Sequence, residues 1–214
     1  MKTQPKPLLI TLAALIVVVV IGLVAFLVTR AQAPDPAAAA VVGADSHVLD
    51  DAGDGAVTVV EFLDFECEAC GAYYPVVEDV RQKYAGQITY VVRYFPLPGH
   101  FNSTTSAVAA EAAAQQGRFE DMYHRLFETQ AEWGEAQESR ADLFREYAVD
   151  LGLDMATYDA AVADPETEQR VRADFEEGRA LGVRSTPTFF VDGRPLVIER
   201  WNDLETAIDA ALDR

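Results

Sequence analysis

Apolar residues follow three different patterns along the chain, and each pattern predicts a different kind of element. Residues 8–28 form an unbroken, uncharged apolar run near the start. Residues 57–65 form a shorter run rich in Val and Phe, which is typical of a strand buried on both faces of a sheet. Later segments place apolar residues at helical spacing, and the pattern i, i+3, i+4, i+7, i+8 is followed closely by Phe119, Met122, Tyr123, Leu126 and Phe127.

A βαβ unit is predicted around the strand at 57–65. A helix follows from residue 68, with Pro75 inside it as a kink and Gly86 at its end. Residues 88–95 are rich in β-branched and aromatic side chains and predict a second strand. Because a helix connects the two strands, we expect them to be parallel.

The second half of the chain predicts a block of helices followed by a hairpin. Helical patterns fill residues 101–164, and a longer helix begins near Pro165. Residues 186–191 and 195–198 predict two strands joined by a tight turn at residues 192–193, and an amphipathic helix ends the chain. The sequence therefore predicts an α/β fold in which a helical subdomain interrupts a smaller sheet structure.

The run at residues 8–28 predicts one transmembrane helix. Its 21 uncharged residues span roughly 30 Å as a helix, which is the thickness of a bilayer core. Lys2 and Lys6 precede the run, and basic residues of this kind stay on the cytoplasmic side. We therefore expect residues 1–7 in the cytoplasm and the rest of the chain, after the anchor, outside the cell membrane.

A cleaved signal peptide is the alternative for this segment, because residues 31–33 (Ala-Gln-Ala) fit a small-residue cleavage site. The apolar run exceeds the usual signal core of about 7–15 residues, which favours an uncleaved anchor. Residues 29–45 are rich in Ala and predict a linker, and residues 46–214 are long enough for one domain. Both interpretations place that domain in an extracytoplasmic compartment, where disulfides persist.

Charge is distributed unevenly along the chain. The first 33 residues hold three Lys or Arg and no Asp or Glu, whereas the rest holds 14 basic and 35 acidic side chains, a net charge of −21. A surface this acidic argues against nucleic acid and anionic lipid as partners of the domain. We interpret the acidity as a contribution to solubility rather than as a recognition patch.

Cys67 and Cys70 are the only cysteines of the sequence, and they form a C-x-x-C pair directly after the strand at 57–65. Cys67 falls near the N-terminus of the next helix, where unpaired N–H groups and the helix dipole favour a thiolate. A C-x-x-C pair between a strand and a helix is typical of a redox site. We expect Cys67 to be the attacking thiolate and Cys70 the resolving thiol.

Three other interpretations of the pair are weaker. A purely structural disulfide across so short a loop would restrict the unfolded chain very little. A zinc site needs two more ligands, and His47, His100 and His124 show no ligand pairing, although His100 follows the second strand and could approach the cysteines. Haem attachment requires a histidine after the second cysteine, where this chain has Gly71. We therefore expect no metal and no cofactor.

The order of elements resembles a thioredoxin fold once residues 101–164 are set aside, and with them it resembles the DsbA family of thiol:disulfide oxidoreductases in its membrane-anchored bacterial form. The resemblance covers residues 46–214. It implies a role for each of six residues, namely the nucleophile Cys67, the resolving Cys70, the buried carboxylate Glu61, the helix-kinking Pro75, and the substrate-binding loop of Thr186 and Pro187, in which the proline is cis and faces the disulfide.

Two of these residues also have a physical reason for their role. Glu61 lies in an apolar strand, so its pKa should rise, and a carboxyl group of this kind can exchange protons with a nearby thiol. An ion pair with a lysine or arginine is the alternative for Glu61. Pro187 has no N–H, and a cis bond before it would leave neighbouring backbone groups free to pair with a substrate strand.

The dipeptide Glu68-Ala69 departs from the family, in which Pro-His is common between the cysteines. A negative charge beside Cys67 disfavours the thiolate, whereas a histidine favours it. We therefore expect a weaker oxidant than family members with Pro-His.

The function expected from these residues is disulfide donation to secreted proteins as they fold, by exchange at Cys67 and Cys70. The resemblance also implies a quinone-linked membrane enzyme that reoxidises the pair. Two alternatives stay open. One is a thiol reductase or disulfide isomerase, which keeps the pair as thiols, and the other is a peptide-binding chaperone that does not use its thiols.

Overall fold

The structure, a computed structural model, describes residues 20–21 and 41–214. The predicted anchor at 8–28 therefore lies outside the described residues except for Val20 and Ile21, which are helical, and so does most of the predicted linker at 29–45. No helix in the described ranges is both long enough and apolar enough to cross a bilayer. Residues 41–214 fall within one compact unit.

One mixed sheet organises this unit. In the described part of the chain its strands are β1 (His47–Asp50), β2 (Val57–Leu63), β3 (Ile88–Tyr94), β4 (Thr188–Val191) and β5 (Arg194–Leu196). Their order across the sheet is β1-β3-β2-β4-β5. β2 and β3 are parallel, as the βαβ pattern predicts, and every other neighbouring pair is antiparallel.

Eight helices accompany the sheet within residues 41–214. They are α1 (Glu68–Lys83), α2 (Ser103–Ala114), α3 (Phe119–Glu128), α4 (Gln130–Trp133), α5 (Ala141–Asp150), α6 (Met155–Ala163), α7 (Pro165–Ala180) and α8 (Asp203–Leu212). Helices α2 to α6 occupy the stretch where the helical subdomain was predicted, and the predicted α/β class is confirmed. The single turn of α4 was not predicted, because four residues are too few to show a helical period.

The helix after the cysteines differs in one detail from the prediction. Pro75 lies inside α1, as expected, but the helix ends at Lys83 and not at Gly86. Gly86 instead closes the following turn with a φ of +73°, a conformation that favours glycine. The turn leads directly into β3.

Both faces of the sheet are covered. Because side chains alternate along a strand, Val59 and Leu63 of β2 point into a large core shared with α1, α8 and the inserted helices. Val60 and Phe62 point the other way, into a smaller core beneath α7. A Cβ atom on Gly178 of α7 would lie 2.8 Å from a ring carbon of Phe62, so the glycine permits this close packing. By the same alternation Glu61 points into the large core, towards α1.

A buried arginine fastens the beginning of the described domain. Arg93 of β3 donates to the carbonyl oxygen of Val41 at 2.9 Å and to Asp174 Oδ1 of α7 at 2.6 and 2.8 Å. Its guanidinium also pairs with Glu177. A buried charge requires partners of this kind. The chain is thereby tied to the sheet and to α7 before β1 begins.

Candidate active site

Cys67 and Cys70 lie at the junction between β2 and α1, as predicted. Cys67 is the N-cap of α1, with extended backbone angles (φ −68°, ψ 120°). Its carbonyl oxygen accepts a helical hydrogen bond from Gly71 N at 3.0 Å. Both cysteines are free thiols, so the structure describes the reduced protein. Their places on the first turn give the two thiols opposite properties.

Cys67 favours the thiolate. Its pKa falls from 9.0 to about 6, chiefly because the Cys70 side chain donates a hydrogen bond to its sulfur. Burial opposes the shift, whereas the Thr186 side chain and the backbone N–H groups of Cys70 and Ala69 support it. The N–H groups in the first turn of a helix have no intrahelical partners, so they are free to stabilise an anion at the N-cap.

Cys70 favours the thiol. Its side chain is almost completely buried, and burial is the main reason that its pKa rises well above 9.0. The negative charges of Cys67 and Glu61 act in the same direction. The pair therefore combines a thiolate that can attack with a thiol that stays protonated.

The buried carboxylate of Asp64 shapes the turn that presents Cys67. Its Oδ1 accepts a hydrogen bond from the backbone N–H of Glu66 at 2.9 Å, and its main-chain oxygen accepts one from Cys67 N at 3.1 Å. The Asp64 side chain is fully buried. A carboxylate in such a place needs hydrogen bonds to replace its hydration shell. No pattern in the sequence singles out Asp64, because its other partners come from a distant segment.

The same carboxylate holds the loop between β3 and α2. Asp64 Oδ2 accepts from Leu97 N at 3.0 Å, from Ser103 Oγ at 2.6 Å and from His100 Nδ1 at 2.7 Å. Burial lowers the pKa of His100, but the bond to Asp64 and the nearby negative charges, including that of Cys67, raise it above its ordinary value. His100 is thus near enough to Cys67 for the two charges to interact.

Gln130, the first residue of α4, fixes the other side of the turn. Its Nε2 donates to the carbonyl oxygens of Phe65 at 2.7 Å and of Cys67 at 2.9 Å. A Cβ atom at position 71 would lie 1.9 Å from Gln130 Oε1, so a larger residue after Cys70 would displace the Gln130 side chain from these bonds. The inserted helices thus hold the active-site turn directly.

Glu61 lies beneath the cysteines, on the α1 side of the sheet. The side chain is 2% exposed, and Tyr90 Oη of β3 donates to its Oε2 at 2.6 Å. Burial raises the pKa of Glu61 from 4.5 to about 7, against the opposing effect of the Tyr90 hydrogen bond. Among the described residues the partner of its carboxylate is this tyrosine and not a lysine or arginine. The structure thus agrees with the raised pKa and not with an ion pair.

The loop before β4 faces Cys67. The Thr186–Pro187 peptide bond is cis, as the family resemblance implied. The Cys67 Sγ donates to the carbonyl oxygen of Thr186 at 3.5 Å. The hydroxyl of the buried Thr186 has no other hydrogen-bond partner among the described residues, so it is free to donate to the Cys67 thiolate. Residues separated by more than a hundred positions in the sequence thus meet at one sulfur atom.

An apolar groove of about 560 Å³ adjoins this loop. Its walls include Ala69 and Ala72 of α1, Pro187, and the ring of Trp201. Trp201 is 62% exposed and stacks on Tyr73, with ring centroids 5.6 Å apart. No pattern in the sequence predicts the groove, because Trp201 is an isolated aromatic residue between β5 and α8.

Comparison with known proteins agrees with this geometry. The sequence pattern of the Thioredoxin family matches residues 52–210. The chain is 37% identical, over 146 residues, to the Na(+)/H(+) antiporter NhaA 1 of Mycobacterium sp. (strain KMS), and this stretch is 66% of the chain and 22% of the antiporter. The chain thus spans about a fifth of the length of the curated relatives that it matches. The antiport activity in that name is the activity of the whole relative, of which the matched stretch is 22%.

Two solved structures have a similar fold. A thioredoxin-like oxidoreductase from Silicibacter pomeroyi DSS-3 is 26% identical, with a TM-score of 0.66 over 80% of this chain and 95% of its own. The alpha-DsbA1 protein of Wolbachia pipientis is 19% identical, with a TM-score of 0.68 over 80% of this chain and 93% of its own. At 19% identity, the similarity to alpha-DsbA1 concerns the fold alone.

The hydrogen bond from Cys70 to Cys67 can be tested with two substitutions. Cys70→Ala removes the donor, so we expect the pKa of Cys67 to rise from about 6 towards 9. Cys70→Ser keeps a donor at the same place and should give a smaller rise. The pH dependence of thiolate absorbance or of alkylation rate measures both values. Equal pKa values in the two variants would contradict this explanation of the lowered pKa.

The raised pKa of Glu61 predicts a pH-dependent stability. At low pH the carboxyl group is protonated in both states, so the burial of Glu61 is tolerated. As the pH rises above 4.5 the unfolded state ionises first, and the folded state loses stability until the pH passes the folded pKa of about 7. The Glu61→Gln variant, measured with both cysteines as thiols, has no carboxyl group at this position and therefore does not lose this stability.

The free energy of unfolding of Glu61→Gln, relative to that of the wild type, should therefore increase by about 2–3 kcal/mol between pH 5 and pH 8. Denaturant titrations at several pH values measure the difference, and the comparison cancels the contributions of other titrating groups. A difference that stays constant with pH would show that Glu61 is ionised normally in the folded protein.

Proposed function

This chain belongs to the thioredoxin family and is a DsbA-like protein-disulfide oxidoreductase, and we propose that it donates its Cys67–Cys70 disulfide to secreted polypeptides. The observation that carries the proposal is the contrast between the two cysteines. Cys67 has a lowered pKa, and Cys70, one helical turn away, has a raised pKa. Each pKa suits one step of disulfide donation.

In the first step a client thiolate attacks Cys67 Sγ, and the Cys67–Cys70 bond breaks. A mixed disulfide forms between the client and Cys67, and Cys70 leaves with the electron pair of the broken bond. Because the pKa of Cys70 is high, its sulfur must take up a proton as it leaves. Glu61, buried nearby with a pKa of about 7, can supply that proton near neutral pH.

In the second step another client thiolate attacks the client sulfur of the mixed disulfide. The client gains a disulfide bond, and Cys67 leaves as a thiolate. A thiol of low pKa is a good leaving group, so the lowered pKa of Cys67 favours this step. The client is oxidised by two electrons, and the protein is left with a Cys67 thiolate and a Cys70 thiol.

The lowered pKa also affects the equilibrium. A shift from 9.0 to about 6 stabilises the reduced folded protein at pH 7 by about 1.4 kcal/mol, because the thiolate is populated there only in the shifted case. This corresponds to about 30 mV for a two-electron couple. About 150 mV separates thioredoxin from DsbA, so the pKa of Cys67 alone does not make a strong oxidant. We therefore expect the Cys67–Cys70 disulfide to be a moderate oxidant.

We place this chemistry outside the cell membrane. The uncharged run at 8–28 is long enough to be an anchor, and Lys2 and Lys6 orient its start towards the cytoplasm. Client thiols outside the membrane are oxidised to disulfides that persist there. Continued donation requires an oxidant for the reduced pair, and the proposed one is a quinone-linked enzyme in the same membrane.

The apolar groove beside Pro187 is the proposed docking surface for the client. Its exposed Trp201 ring, supported by Tyr73, offers an apolar contact to an unfolded segment. The backbone next to Cys67 is within reach of a peptide lying in the groove, because Ala69 and Thr186 line it.

Transfer of the disulfide is tested with the oxidised full chain and a reduced, unfolded client that has two cysteines. We expect one client disulfide for each oxidised pair, counted by mass spectrometry after alkylation. Cys67→Ser should abolish transfer. Cys70→Ser should instead accumulate a mixed disulfide through Cys67 when it is offered an oxidised client, because no resolving thiol remains.

Two results would contradict the proposal. Net reduction of an oxidised client, with no oxidation of the reduced one, would favour the reductase. Full activity of Cys67→Ser in promoting client folding would favour a chaperone that does not use its thiols.

A further inference from the structure

A second cleft, separate from the apolar groove, also adjoins Cys67. It measures about 360 Å³ and shares no lining residue with the groove. Glu66 and Glu68, on either side of Cys67, line it together with Glu135 from the loop after α4 and His100. We call it the acidic cleft. Any polypeptide whose cysteine reacts with Cys67 passes close to it.

Glu66 is a buried carboxylate with one unpaired oxygen. The residue is 1% exposed, and its Oε2 accepts from Asn102 N at 2.5 Å. Its Oε1 is buried and has no hydrogen-bond partner among the described residues. Asn102 is itself fixed by bonds from its Nδ2 to two carbonyl oxygens, so Glu66 cannot easily turn away. A buried oxygen of this kind calls for a donor from outside the chain.

Glu68 and Glu135 add two exposed carboxylates at the rim. They lie so close together that a hydrogen bond between the two side chains raises the pKa of Glu135 and helps to lower that of Glu68. Ion pairs within the described residues include neither Glu68 nor Glu135. A cation placed between the two groups would stabilise both as carboxylates in place of the shared proton.

His100 neutralises the acidic cleft only in part: its charge acts to lower the pKa of Glu66, Glu68 and Glu135, but it is already paired with Asp64. Its Nδ1 is 2.7 Å from the fully buried carboxylate of Asp64, which balances the positive charge of the imidazolium. Three glutamate side chains therefore line the cleft, and no lysine or arginine of the described chain lines it with them. In the described part of the chain, no group of three Asp, Glu, His or Cys side chains is placed to ligate a metal ion, which favours an organic cation as the occupant.

We propose that the acidic cleft binds the basic side chain of a client residue near the reacting cysteine, with arginine preferred over lysine. The planar guanidinium offers several N–H donors in a fixed arrangement, which suits an unpaired Glu66 oxygen below and two carboxylates at the rim. The inference rests on the proposed function, because it concerns which clients react fastest at Cys67. Clients with arginine near a cysteine are therefore oxidised in preference to uncharged or acidic ones.

The test uses synthetic peptides with one cysteine and either arginine or its uncharged analogue citrulline, placed two or four residues before or after the cysteine. The rate constant of their reaction with the oxidised full chain is measured at low ionic strength. For the best position we expect arginine to react about tenfold faster than citrulline, which is the scale of a charge-assisted hydrogen bond. Added sodium chloride should reduce this ratio.

Three variants separate the acidic cleft from other charge effects. Glu66→Gln keeps the acceptor for Asn102 N and should remove most of the preference for arginine. Because Glu135 lies in an exposed loop, Glu135→Gln should leave folding unchanged. It should also reduce the preference for arginine. Glu132→Gln removes a nearby exposed charge outside the cleft and should leave the preference unchanged. Arginine also changes the reactivity of the thiol in its own peptide. This effect is the same for every protein variant, so it cancels when the arginine-to-citrulline rate ratios of the variants are compared.

The outcomes distinguish this inference from the proposed function. If no peptide reacts, the proposed function itself is wrong. If arginine and citrulline peptides react equally, or if the preference survives in both Glu66→Gln and Glu135→Gln, the protein exchanges disulfides but the acidic cleft does not select clients. Loss of the preference on adding calcium chloride, at an ionic strength where sodium chloride preserves it, would overturn the inference in favour of a divalent-cation site.

Discussion

The site depends on one buried carboxylate, that of Asp64. Its two oxygens accept hydrogen bonds from the turn before Cys67 and from the loop between β3 and α2. A charge buried this deeply is tolerated only when all of these donors are in place, so the carboxylate constrains both segments at once. The position of Cys67, the approach of His100 and the walls of the acidic cleft follow from that constraint.

The chemistry follows from unequal surroundings of two identical side chains. Cys67 caps α1 and meets N–H groups and the Cys70 thiol, whereas Cys70 lies in the large core beside Glu61. Hydrogen bonds therefore stabilise one thiolate, and burial destabilises the other. A separation of one helical turn is sufficient for the contrast: both cysteines are buried, but Cys67 at the N-cap meets N–H groups of the first turn that stabilise its thiolate.

Much of this arrangement was predictable from the sequence because its signals are local. The C-x-x-C pair, the apolar strand before it and the Thr186–Pro187 loop each fall within a few residues, and a βαβ unit brings strand and helix together. Asp64 and Gln130 were missed because each also acts through hydrogen bonds to residues at least thirty positions away. An acidic residue after a strand, or a glutamine at the start of a single helical turn, gives no sign of its distant partner. The boundary of α1 was misplaced because Gly86 closes the following turn and not the helix.

The central claim is that the Cys67–Cys70 disulfide is a donor, and its reduction potential is the most direct test. The oxidised full chain is equilibrated with glutathione buffers, and the fraction of free thiols is measured at each ratio. We predict a potential between about −200 and −120 mV, above that of thioredoxin and below that of DsbA. A value near about −270 mV would mean that the pair is held reduced in use, and it would contradict disulfide donation.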